Sequence, residues 1–186
     1  MRDGQSRYVY HLPSVHASAV ALQRALGTPD TLFYSMKANS HAEILRTLAS
    51  TGLGIECVSL PEVEHVRRVL GDDVRILFTP NFCPLGEYAR ALALGAELVV
   101  DGPEPLDALP RVFRHREIGV RIDPGRGQGH HAKVRTAGAT AKFGHPIGAA
   151  EDMARAAEKA RARVVGLHAH IGSGILDARA WTRTAS

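Results

Sequence analysis

Aromatic residues are scarce in this chain, 5% of 186 residues, and cysteine occurs only twice. Two distant thiols, Cys57 and Cys83, exclude a small disulfide-built scaffold, and buried reduced thiols are the expectation for both. So few rings cannot furnish a base-stacking platform, and apart from Arg161-Ala162-Arg163 no dense basic run exists. The net charge of +4 therefore reads as a solvated surface, not as a nucleic-acid footprint. No apolar stretch approaches bilayer-spanning length, and residues 8–12, broken by His11, are too short for a secretory signal. These absences predict a soluble, cytoplasmic protein with neither membrane nor nucleic acid as partner. A hydrophobic content of 45% is enough for one core, hence one domain over residues 1–186.

What is present is an alternation of two periods. Apolar, β-branched runs at 31–36, 54–58, 74–78, 97–100, 118–122 and 164–169 read as strands. Between them, apolar residues recur at three and four spacing over 14–26, 41–50, 61–70, 84–94, 104–113 and 147–161, several opening on proline or an acidic first turn. Near-continuously apolar strands separated by helices predict an α/β fold with a parallel sheet covered on both sides. Six βα units fall short of the eight strands and about 250 residues of a closed (β/α)₈ barrel. Either the sheet is open and doubly wound, or the sequence is the first three quarters of a barrel. Residues 123–144, rich in Gly, His and Lys, form a long loop of the kind that more often carries function.

Three constellations bear chemistry. Lys37, in Tyr34-Ser35-Met36-Lys37-Ala38-Asn39, stands at the carboxyl end of the first strand, where parallel α/β enzymes place reacting groups. In apolar surroundings its pKa falls and its amine becomes a nucleophile toward a carbonyl; the alternative is a lysine that snorkels to solvent. In Gly166-Leu167-His168-Ala169-His170-Ile171-Gly172-Ser173-Gly174, strand alternation sends His168 and His170 to one face. They are metal ligands, hydrogen-bonded core histidines, or a ring against an aromatic cofactor, and the Gly-Ser-Gly that follows suits an anion. Glu56 and His130-His131 are the further donors that keep a metal open. In Arg121-Ile122-Asp123-Pro124, a buried arginine needs an anion, and Glu56 is one candidate; a structural ion pair is the alternative.

Together these segments resemble the fold-type III pyridoxal-phosphate decarboxylases, and among them the diaminopimelate decarboxylases. Tyr34-Ser35-Met36-Lys37-Ala38-Asn39 is similar to the segment that holds the Schiff-base lysine, and Gly54-Ile55-Glu56-Cys57-Val58-Ser59 to the one after the second strand. Arg121-Ile122-Asp123-Pro124, His131, Thr136-Ala137-Gly138 and Lys142-Phe143-Gly144 follow the family's long loop. The segment from Gly166 to Gly174 is similar to its cofactor-stacking strand. Leu77-Phe78-Thr79-Pro80-Asn81-Phe82 and Gly129-His130-His131-Ala132-Lys133-Val134-Arg135 look like the decarboxylase half of bifunctional aspartate kinase/diaminopimelate decarboxylases.

The resemblance implies a pyridoxal-phosphate-binding (β/α)₈ barrel of the alanine-racemase-like type, incomplete at six units and without the family's C-terminal β-domain. It implies that Lys37 holds pyridoxal phosphate, His170 stacks on its ring, Ser173 binds phosphate, and Glu56 and Arg121 line the pocket; Lys37 and His170 would be catalytic. The implied reaction converts meso-diaminopimelate to L-lysine and CO₂, in a family that works as a homodimer. The family usually has Asp where this chain has Glu56. Its glycine-rich phosphate loop, the Glu that pairs with the pyridine nitrogen, and the dimer-forming β-domain have no counterpart here, so little or no turnover is expected of the 186-residue chain. An ornithine or arginine decarboxylase is the neighbouring alternative, a racemase-like carrier a more distant one. A metal-dependent hydrolase using His168 and His170, and a non-catalytic fragment, are alternatives of other classes. Unpaired sheet edges at residues 31–37 and 164–169 are expected to favour association.

Overall fold

A computed structural model describes residues 6–27, 32–125 and 143–185. The elements run α1 (Leu12–Leu26), β1 (Phe33–Ser35), α2 (Ala42–Ala49), β2 (Gly54–Cys57), α3 (Leu60–Leu70), β3 (Ile76–Phe78), α4 (Leu85–Ala93), β4 (Glu97–Val100), α5 (Glu104–Ala108), α6 (Pro110–Phe113), β5 (Glu117–Asp123), β6 (His145–Pro146), α7 (Ala150–Ala160), β7 (Arg163–His168) and α8 (Ala178–Ala185). The six expected strands are present, each within two residues of its expected bounds. A seventh, the two-residue β6, branches from the end of β5. The helix expected over 104–113 divides at Leu109, where the following Pro110 cannot supply the next helical N–H.

Every strand pair is parallel, and the order β1-β2-β3-β4-β5-β7 follows the chain. Doubly wound sheets reverse direction at a switch point; this one does not. Right-handed crossovers taken always in the same sense place the helices on one face, which is the winding of a barrel. The expected cover on both faces is therefore replaced by helices outside and a concave inner face. Parity along the strands follows. Ile55 and Cys57, Ile76 and Phe78, Leu98 and Val100, and Ile118, Val120 and Ile122 point to the helices and form the core with Leu45, Val63, Val66, Tyr88, Leu106 and Phe113. Burying each of the large side chains contributes about 1.5–3 kcal/mol. Tyr88 joins two layers, edge-on to Phe78 at 6.4 Å and to Phe113 at 5.6 Å.

The opposite parity belongs to Ser35, Glu56, Leu77, Val99, Arg121 and His168, which share the inner face by register. A trough of about 330 Å³ runs along β3, β4, β5 and β7, lined by Leu77, Val99, Gly119, Gly166 and His168, among others. At the carboxyl ends of the strands the polar residues converge.

Candidate active site

Lys37 sits in a 3₁₀ turn, Met36–Ala38, that continues β1. Met36, 3% exposed, anchors the turn in the core. Beyond it Tyr34 donates its hydroxyl to Asn39 O at 3.2 Å, Asn39 Oδ1 accepts from His41 N at 3.0 Å, and His41 Nδ1 accepts from Glu43 N at 3.3 Å to open α2. The backbone on both sides of Lys37 is thus fixed, while the lysine itself is exposed. Of the two readings of Lys37, an amine in apolar surroundings and a lysine that snorkels to solvent, its exposure fits the second. The turn lifts its side chain off the sheet and onto the rim, where water reaches it.

Glu56, on β2, is half-buried and accepts the hydroxyls of Ser35 and Thr79 from the strands on either side. Arg121, 6% exposed, donates Nη1 to Asn81 Oδ1 and lies over the Phe143 ring at 5.2 Å. Burial pulls the Arg121 pKa below its ordinary value, against the opposing pull of Asp101, Glu56 and Asp123. Glu56 is thus one of three carboxylates acting on Arg121, after Asp101, and the direct hydrogen bonds go elsewhere: Arg121 to an amide, Glu56 to hydroxyls.

His168 pairs in register with Arg121. Its burial, then the nearby charge of Arg121, pushes its pKa down to about 4, with Glu56 acting the other way. His170, two residues past the strand, is also lowered, by burial first and then by Lys37 and Arg121. Both imidazoles are therefore uncharged at neutral pH. The buried Nδ1 of His168 has no hydrogen-bond partner among the described residues. After His170 the chain turns through Gly172 (φ 135°) and Gly174 (φ 68°), left-handed positions that suit glycine, and Ser173 stands exposed between them.

The structure therefore brings Lys37, Glu56, Arg121, His168 and His170 within electrostatic reach of one another at one end of the sheet. Ser173 lies on the turn that follows. His130, His131, Thr136 and Lys142 lie outside the described residues. Among the described residues no three His, Cys, Asp or Glu converge as metal ligands. Cys57 and Cys83 are free, and burial pushes their thiols up to about 12 and about 11, too high for thiolate chemistry at neutral pH. Ser35, Thr79, Asn81 and Asp101 were not singled out from the sequence. Their signal was position, at or just past a strand's carboxyl end, where such folds collect functional groups.

A singly wound parallel α/β domain with a lysine, a clamped carboxylate, a buried arginine and two uncharged imidazoles at its carboxyl rim has the architecture of (β/α)₈ barrels, which gather functional groups at that end. Sequence comparison makes the class specific. Residues 12–186 match the family described as pyridoxal-dependent decarboxylase, pyridoxal binding domain, and the chain belongs to that family. Diaminopimelate decarboxylase of Deinococcus radiodurans is 34% identical over 181 residues, 97% of this chain and 47% of the relative. That of Methanothermobacter thermautotrophicus is 37% identical over 147 residues, 78% of this chain and 34% of the relative. The crystal structure of diaminopimelate decarboxylase from Helicobacter pylori complexed with L-lysine superposes with a TM-score of 0.86 at 25% identity, over 99% of this chain and 49% of that one. The chain thus spans a third to a half of the length of these relatives.

Pyridoxal phosphate is the cofactor of this family, and the residues present fit it. An exposed amine suits its aldehyde, Arg121 and the glycine turn suit anionic groups, and the uncharged rings suit an aromatic face. The unpartnered Nδ1 of His168 leaves one buried polar atom for a ligand to satisfy.

Proposed function

We propose that this chain is the cofactor-binding portion of a diaminopimelate decarboxylase, forming meso-diaminopimelate-derived L-lysine and CO₂ when its site is complete. The observation that carries the reading is the convergence of Lys37, Glu56, Arg121 and His170 at one rim of a sheet whose relatives bear that name. Bound pyridoxal phosphate supplies an aldehyde for amines and a ring that takes up the electron pair left by departing CO₂. Lys37, exposed at the rim, would hold the cofactor through its amine, where a substrate could also approach. His170, its pKa lowered by burial and by Lys37 and Arg121, would pack an uncharged imidazole against the ring face. Glu56 and Arg121 line the pocket with opposite charges, and Ser173 offers a hydroxyl to the phosphate from a turn with two glycines. The reduced state of Cys57 and Cys83 accords with a cytoplasmic enzyme. The family's homodimer is the expected assembly of a full-length form.

Lysine occurs at only four positions, 37, 133, 142 and 159, so labelling is readily assigned. Borohydride reduction of the chain with pyridoxal phosphate, followed by peptide mass mapping, should place the fixed adduct on Lys37 and lose it in Lys37→Ala. Label spread evenly over the other lysines would overturn the assignment. In the same preparation, L-lysine formation from meso-diaminopimelate should be far below that of a full-length relative, because a barrel site collects phosphate contacts from its last two βα loops. Turnover at an ordinary enzyme's rate would show that this portion suffices.

A further inference from the structure

Ser35 occupies the N-cap of the turn that carries Lys37, where a serine oxygen ordinarily accepts a backbone N–H of the turn. It makes no such bond. Its hydroxyl donates instead to Oε2 of Glu56 on the neighbouring strand. From the other side Thr79, 3% exposed, donates Oγ1 to Oε1 of the same carboxylate. Each carboxylate oxygen thus receives one hydroxyl, and the buried threonine hydroxyl avoids the cost of standing unpaired.

Register explains why a glutamate is needed. Ser35 lies level with Glu56, whereas the β3 residue level with Glu56 is Leu77, two residues before Thr79. Two residues of strand correspond to about 6.6 Å of rise. The Glu56 side chain must therefore lean toward the carboxyl end of the sheet to meet Thr79, and an aspartate, one methylene shorter, would reach Ser35 but fall short of Thr79. The lean also carries the carboxylate toward the end of the sheet where Lys37 and Arg121 lie.

We propose that Ser35 and Thr79 are positioning residues of the cofactor site: they hold the Glu56 carboxylate at the rim and, through Ser35, tie it to the turn that presents Lys37. Amine and carboxylate are then set relative to each other before the cofactor arrives, and less of the binding energy goes into ordering them. This inference rests on the cofactor reading above.

The test is a double-mutant cycle on the dissociation constant of pyridoxal phosphate for the full 186-residue chain, read by its absorption band. Ser35→Ala and Thr79→Val should each weaken binding on the order of tenfold, the loss expected for a hydrogen bond to a charged group, while Thr79→Ser should bind as the parent does. In a Glu56→Asp background, Thr79→Val should cost nothing further, because the shorter side chain no longer reaches it. Should Thr79→Val fail to fold, Ser35→Ala alone against Glu56→Gln provides the same comparison. Parent-like binding by both hydroxyl variants, or losses that add unchanged in the Glu56→Asp background, would overturn the clamp while the Lys37 adduct persists. A parent chain that forms no Lys37 adduct overturns the cofactor reading and the clamp together.

Discussion

His168 shows how burial sets the charge of a single side chain. Burial first, then Arg121, His170 and Lys37, oppose its protonation while Glu56 favours it, which pushes its pKa down to about 4 from an ordinary 6.5. In the unfolded chain the imidazole protonates as pH falls through 6.5; in the folded chain it stays neutral until about pH 4. Between those values the unfolded state binds the extra proton, so stability falls as the pH falls. The loss amounts to about 3 kcal/mol at most across that window. Denaturant unfolding at pH 7, 5.5 and 4.5 should show this decline, and His168→Gln should lose less over the same range. His170 acts in the same direction. Parallel pH profiles for parent and variant would mean that His168 protonates alike in both states.

At the scale of elements, Arg67 near the end of α3 joins loops that have no strand hydrogen bonds of their own. Its side chain, 10% exposed, donates to Leu94 O at 2.7 Å, Val74 O at 2.9 Å and Gly71 O at 3.1 Å. One guanidinium thereby fastens the α3–β3 connection to the end of α4. Arg67→Met keeps most of the apolar stem but leaves those carbonyls without their donor. It should lower unfolding stability by about 2–4 kcal/mol, measured in urea, and Arg67→Lys should recover only part, because an ammonium lacks the planar fork. The 3₁₀ turn after β1 is the other element whose detail matters. A lysine one residue past a buried methionine reads in sequence as the end of a strand, yet the tighter turn carries it to the rim.

For the molecule as a whole, the edges of the sheet govern behaviour in solution. Among the described residues β1 pairs only with β2, and β7 only with β5. On β7, Leu167 is 75% and Val165 53% exposed, so the strand presents apolar side chains beside open backbone groups. Such an edge recruits further strands. Size-exclusion chromatography with light scattering should find this 20.0 kDa chain self-associating as concentration rises, and Val165→Lys/Leu167→Lys should shift it toward the monomer. A compact monomer at all concentrations would show that the edge is protected. Among the described residues, no helix is long and apolar enough to cross a membrane.

The alternation of strand and helix and the chemistry-bearing segments around Lys37, Arg121 and His168 were legible in the linear chain. They depend on local periodicity and on residue type, which neighbours in sequence suffice to encode. The choice between an open doubly wound sheet and a barrel winding was not legible from pattern alone, since both repeat the same βα unit. Strand order decided it, and that order is set by contacts between segments far apart in the chain. Nor did the sequence show that Ser35 and Thr79 would meet Glu56, or that Arg121 would bond Asn81. Those meetings arise from register between strands and from the turn geometry at their ends, and only the folded sheet brings such distant residues within hydrogen-bonding distance.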